Sequence, residues 1–173
     1  MIELEKTYLA KIIPKDLLSF EAKEIIDIYI PQDKEHPTLR IRKRGDKYEM
    51  TKKEPVSSND SSRQEEQTII LTPEEFNVLS GLPGKRFRKI RYNYNYNGQI
   101  AEIDVFQDDL AGLVLVDCEF DSLEDKEKFV MPDFCLIEVT QEKFLAGGML
   151  CGKKYQDIET DLEKFGYKKL FIG

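Results

Sequence analysis

Nine stretches of this chain alternate apolar and charged residues: 2–9, 24–30, 38–44, 47–53, 63–71, 86–96, 99–106, 112–121 and 134–140. A period of two sends successive side chains to opposite faces of a strand, so each stretch predicts a β-strand with one apolar and one charged face. The charged faces are sorted by sign. Glu3, Glu5 and Thr7 share one, Arg40 and Arg42 the next, then Thr51 with Lys53, and Arg63 with Glu65 and Gln67. Lys89 and Arg91 share another, as do Glu102 and Asp104, then Asp117, Glu119 and Asp121, and finally Glu138 and Thr140.

Two arrangements satisfy this pattern. In an ordinary amphipathic sheet the apolar faces form the core and the charged faces meet water; periodicity alone fits that better. In a sheet closed on itself with the charged faces inward, the interior is a water-filled tunnel with an acidic and a basic zone. Segregation of acids and bases by strand, and the scarcity of neutral polar residues beside them, argue for the second. Like charges about 4 Å apart repel by roughly 4 kcal/mol at an effective dielectric near 20, so such a lining calls for counter-charges. Carboxylates take hard divalent cations, Mg²⁺ or Mn²⁺; Arg and Lys take phosphate oxygens.

Local signals punctuate the strands. Asn97-Gly98 predicts a type I′ hairpin turn, and Gly45-Asp46 another. Thr72-Pro73-Glu74-Glu75 predicts a capped helix stopped by Gly81, Ser122 caps a short helix to Phe129, and a third runs over 154–165 with Gly166 after it. A shorter helix is expected near 14–20, and the Ser-rich segment 55–62 reads as a surface loop. No internal repeat or composition break divides the chain, which predicts an α+β protein of one domain over 1–173.

A net charge of −7 argues against general affinity for nucleic acid or anionic membrane. The apolar stretch at 110–116 is too short to span a bilayer, and Glu3 and Glu5 sit where a signal sequence would need apolar residues. Three cysteines without metal-ligand spacing suit reduced thiols in a cytoplasm. Lys85 to Tyr96 mixes basic and aromatic residues, but Tyr92, Tyr94 and Tyr96 share the parity of Ile90, which assigns them to the apolar face. His36 stands alone in a turn and reads as a surface residue.

The ordered series Glu3-Leu4-Glu5, Leu39-Arg40-Ile41-Arg42, Thr51-Lys52-Lys53, Arg63-Gln64-Glu65, Lys89-Ile90-Arg91-Tyr92, Ala101-Glu102-Ile103-Asp104-Val105-Phe106, LVLVDCEF at 113–120 and Glu138-Val139-Thr140 resembles the CYTH, or triphosphate tunnel metalloenzyme, superfamily. The resemblance implies a closed eight-stranded antiparallel β-barrel, with helices packed outside and a C-terminal helix near one mouth. It also implies divalent-metal-dependent hydrolysis, most simply of inorganic tripolyphosphate. Thiamine triphosphate, nucleoside triphosphates, class IV adenylate cyclisation and non-catalytic polyphosphate binding are the alternatives. Carried over by position, Glu3, Glu5, Asp117 and Glu119 hold the metal. Arg40, Arg42, Lys53, Arg63, Lys89 and Arg91 grip phosphate, while Glu65, Glu102, Asp104 and Glu138 orient ligands or water. The expected partner is a small-molecule triphosphate or polyphosphate, with the chain a monomer or homodimer. One position departs: the superfamily's opening motif is Glu-x-Glu-x-Lys, and its lysine is here Thr7.

Overall fold

The computed structural model describes residues 2–173. Its strands are β1 (Ile2–Ala10), β2 (Ala22–Ile30), β3 (Leu39–Arg44), β4 (Lys47–Ser57), β5 (Asp60–Leu71), β6 (Lys85–Tyr96), β7 (Gln99–Phe106), β8 (Val114–Phe120) and β9 (Cys135–Glu138). Helices α1 (Pro73–Ser80), α2 (Leu123–Lys128), α3 (Gly147–Leu150) and α4 (Tyr155–Glu163) interrupt or follow them. All nine expected strands form, in the order β5-β4-β3-β2-β6-β7-β8-β1-β9, and β1 also pairs with β5. That last pairing, Ile2 to Glu65, Glu3 to Gln64 and Leu4 to Arg63, closes eight antiparallel strands into a ring. The far half of β1 pairs instead with β9, the ninth strand.

The turns follow their local chemistry. Asn97 and Gly98 have φ of 52° and 84°, as a type I′ turn requires. The α1 capping box forms: the Thr72 side chain accepts from Glu75 N at 3.2 Å, and Glu75 Oε2 accepts from Thr72 N at 2.8 Å. Ser122 caps α2, accepting from Asp125 N at 3.1 Å. Two expectations fail. Segment 14–20 forms only a 3₁₀ turn at Leu17–Ser19. Segment 55–62 is no loop: β4 and β5 continue through it to a tight turn at Ser58-Asn59, with an irregularity between Pro55 and Ser57. A distant side chain holds the tip, since Gln141 Oε1 accepts from Ser61 N at 3.0 Å and its Nε2 donates to Asp60 at 3.1 Å.

Most of the apolar faces look outward and are covered. On β1, β6, β7 and β8, Tyr8, Tyr92, Ile103, Val105, Val116, Cys118 and Phe120 form a buried cluster with Leu17 and Phe134 from connecting segments and Cys135 from β9. Tyr94 and Tyr96 meet the Phe134 ring edge-on at 5.3 and 5.5 Å, so this tyrosine row packs on the outside as its parity predicts. Burial pushes the Cys118 thiol up to about 12, which leaves it an inert core residue. Under α1, Phe76 packs with Ile28, Ile41 and Leu71. A third cluster stops one end of the barrel from within: Leu9, Phe87, Phe106, Leu113 and Leu115 meet Leu145, Leu150 and, from α4, Tyr155, Ile158 and Leu162. The C-terminal helix therefore sits at one mouth. Among the described residues no helix is long and apolar enough to cross a membrane.

Candidate functional site

Residues directly opposite in a β-ladder share a face, so the ladder registers trace the lumen around the ring. Glu5 lies opposite Glu119 and Thr7 opposite Asp117; Asp117 then lies opposite Glu102, and Asp104 opposite Arg91. Asp27 lies opposite Arg42, Arg40 opposite Thr51, and Lys53 opposite Glu66. These side chains line a cavity of about 720 Å³. Eleven expected residues are brought together there: Glu3, Glu5, Arg40, Arg42, Lys53, Lys89, Arg91, Glu102, Asp104, Asp117 and Glu119.

Three expected residues fall outside. Arg63 lies opposite Leu4 and Glu65 opposite Ile2, on the outer face of the ring. Beyond Ser61 at its tip, β5 lines the lumen with Gln64, Glu66 and Thr68. A one-residue error in parity flips a whole strand; Leu71, buried outside under α1, has the parity of Arg63 and carries the signal that corrects it. Glu138 lies opposite Tyr8, also outside, near Lys6 Nζ at 3.9 Å and accepting from Thr140 Oγ1 at 2.8 Å. Sequence reasoning also missed residues of the lining. Asp27 and Tyr29 line it from β2, where one acid among isoleucines was the available signal, and Glu49 lines it from β4. His36, read as a surface residue, lines it too, with its ring against Gly148.

The basic side is extensively neutralised from within. Arg42 Nε and Nη2 donate to the two oxygens of Asp27 at 2.6 and 2.7 Å, and Asp27 is 0% exposed. Burial works to raise the Asp27 carboxyl, but Arg42 overcomes it and holds the group well below the usual carboxylate range. Arg91 Nε and Nη2 grip Asp104 at 2.7 Å each, and Lys89 donates to the same carboxylate. Against the cost of burial these cations bring Asp104 down to about 2. Lys89 itself is pushed down, by burial and then, against the pull of Asp104, by Arg91 and Arg42. Arg91 does not deprotonate in this range and so keeps Asp104 ionised whatever the state of Lys89. Arg91 also bonds Glu102 and approaches Asp117 at 3.5 Å. Arg40 stands apart: its contact with Glu49 is 3.7 Å long, and its buried Nε has no hydrogen-bond partner.

The acidic side is crowded. Glu119 keeps part of its surface in water, yet desolvation within the mouth, followed by repulsion from Glu102 and Glu3, pushes it up to about 7. Burial also raises Glu5, against Lys53 and together with Asp117 and Glu3. Thr7 Oγ1 donates to Asp117 Oδ1 at 2.7 Å, so the threonine in the motif's lysine position serves the acidic side. Among the described residues no three potential ligands are already gathered around a metal position. Instead the Lys53 ammonium lies 3.0 Å from Glu3 Oε2 and 2.9 Å from Glu5 Oε2. Two carboxylates thus already converge on one cation. With Asp117 and Glu119 on the adjoining strand they form an all-oxygen set of the kind hard divalent ions take, so the residues fit such an ion once Lys53 yields its place.

Comparison with known proteins agrees with this geometry. The sequence model of the CYTH domain matches residues 4–129. The inorganic triphosphatase of Nitrosomonas europaea is 33% identical over 145 residues, 83% of this chain and 92% of that protein. The crystal structure of an inorganic triphosphatase superposes with a TM-score of 0.63 at 27% identity, covering 87% of this chain and 95% of that one. A conserved hypothetical protein from Pyrococcus furiosus, at 24% identity and a TM-score of 0.53, shares the fold over 72% of this chain and 82% of its own. A closed ring of inward charges, its ordered motifs and these relatives converge on one conclusion: this chain belongs to the CYTH domain family.

Proposed function

We propose that this protein hydrolyses a terminal phosphoanhydride of inorganic tripolyphosphate with the help of Mg²⁺ or Mn²⁺. The observation that carries the reading is the meeting, inside one closed lumen, of an acidic arc (Glu3, Glu5, Asp117, Glu119) with a basic arc (Arg40, Arg42, Lys53, Lys89, Arg91). The N. europaea relative named for that activity supports it. In this reading the acidic arc holds the cation, which when bound offsets phosphate charge and acidifies water. Arg40, whose buried Nε is unpartnered, donates to a phosphate oxygen. Arg91 and Lys89, fixed by Asp104 and Glu102, present their remaining N–H groups to charge spread over the equatorial oxygens. Arg42, pinned by Asp27, offers the one guanidinium edge that the aspartate leaves open. Arg63, Glu65 and Glu138 have no part in it, since they face away from the lumen.

The test is phosphate release from tripolyphosphate, ATP and thiamine triphosphate with Mg²⁺ or Mn²⁺. Tripolyphosphate is expected to turn over fastest, and a chelator is expected to abolish turnover. No release from any of the three by folded protein would sink the hydrolase reading. A binding-only reading rests on Thr7, which supplies no charge where the motif has a lysine and whose hydroxyl is committed to Asp117. Calorimetric binding of tripolyphosphate with metal but without phosphate release would favour it.

A further inference from the structure

Ten acidic and seven basic side chains line the cavity among the described residues, so the lumen carries an excess of negative charge against the polyanion it is proposed to take. Its cations also differ in how firmly they are held. Arg42 and Lys89 are each 7% exposed and paired with aspartates that are themselves sealed from water. Arg91 is 11% exposed and gripped through both edges of its guanidinium. Lys53 differs in kind. It reaches from β4 across to β1 on a flexible four-carbon stem, is 28% exposed, and holds two carboxylates at once. The place it fills is the one a divalent ion would take, because Glu3 and Glu5 cannot serve both.

We propose that Lys53 is the exchangeable counter-ion of this lumen, and that its displacement couples divalent-cation binding to triphosphate binding. A divalent ion brings two charges to Glu3 and Glu5 at metal–oxygen distances of about 2.0–2.6 Å, where the ammonium brings one at hydrogen-bond distance. Its arrival frees Lys53, whose three N–H donors then face the lumen at the site of the incoming phosphate chain. Without the ion, the triphosphate meets an acidic lumen in which Lys53 is occupied by Glu3 and Glu5. Lys53 therefore opposes the metal in the empty protein and favours the phosphate in the loaded one. This inference rests on the reading of the site as a metal and triphosphate tunnel, but not on hydrolysis.

Calorimetry on the full chain tests it, with Mn²⁺ alone, tripolyphosphate alone in chelator, and tripolyphosphate added to Mn²⁺-saturated protein. Lys53→Met is expected to bind Mn²⁺ about tenfold more tightly than the parent, a coupling of the usual size between linked sites. The same variant is expected to bind tripolyphosphate about tenfold more weakly once loaded with Mn²⁺. Equal or weaker Mn²⁺ binding by Lys53→Met overturns the proposal and marks Lys53 as a fixed structural partner. A second measurement needs no variant: acetylation of Lys53 in the parent protein, followed by mass spectrometry, should rise several-fold on adding Mn²⁺. Unchanged reactivity with Mn²⁺ bound overturns the proposal as well. Failure of hydrolysis with both effects present removes the proposed activity and leaves the coupling; hydrolysis with neither effect removes the coupling alone.

Discussion

Asp27 has the most lopsided surroundings of any acid in the lumen: fully buried, flanked in β2 by isoleucines, and answered by one arginine through two bonds. Removing one partner of such a pair strands a buried charge. Asp27→Ala should therefore cost about 3–5 kcal/mol in urea unfolding, and an apolar replacement of Arg42 in the same chain should recover much of it. Asp104 makes the parallel case in pH. Its carboxyl titrates near 2 when folded against an ordinary value of 3.8, so the unfolded chain takes up protons first as acid is added. The stability it contributes is complete above about pH 4 and lost between there and about pH 2. In Asp104→Asn that part of the acid transition should vanish from a pH series of thermal midpoints, with about 2 kcal/mol lost at neutral pH.

Elements report how far pattern reading reaches. The capping box of α1 was legible residue by residue, and Thr72→Ala should cost about 1 kcal/mol in urea unfolding, because one helix-start donor loses its acceptor. Strand existence was legible from period two, and for most strands so was the lumen face. Strand β5 was the exception. Its sequence from Arg63 to Gln67 is polar on both parities, so within that stretch nothing distinguished Arg63 and Glu65 from Gln64 and Glu66, and the one apolar marker of the outer face, Leu71, lies at the far end of the strand. Pairing with β1 decided it, since Glu3 has to meet Gln64 for the ring to close. The hairpin at 55–62 was illegible for a similar reason: its polar residues are held by Gln141, about eighty positions away. β2 hid Asp27 because Ile25, which shares its parity, is apolar and fully buried.

The whole molecule is closed at one end by a strap, residues 143–150, that only close packing permits. A Cβ on Gly148 would meet Pro37 O at 2.3 Å and His36 Cδ2 at 2.6 Å. Gly148→Ala should therefore unseat the strap at a cost of about 1–3 kcal/mol in thermal unfolding, as overpacking does elsewhere. The strap adds Lys143, Leu145 and Leu150 to the cavity lining, with Leu145 and Leu150 in the buried cluster, and no local signal in the sequence announced that role. What the sequence by itself determined were the strands, the turn and capping chemistry, and the sorting of acids and bases onto separate strands, all of which depend on residues a few positions apart. What only the tertiary structure decided were which faces look inward on β2, β5 and β9, and which charges neutralise one another. It also placed Lys53 between Glu3 and Glu5. These depend on closure: once eight strands form a ring, register carried around the whole circle sets which residues meet across the lumen, and no single strand contains that information.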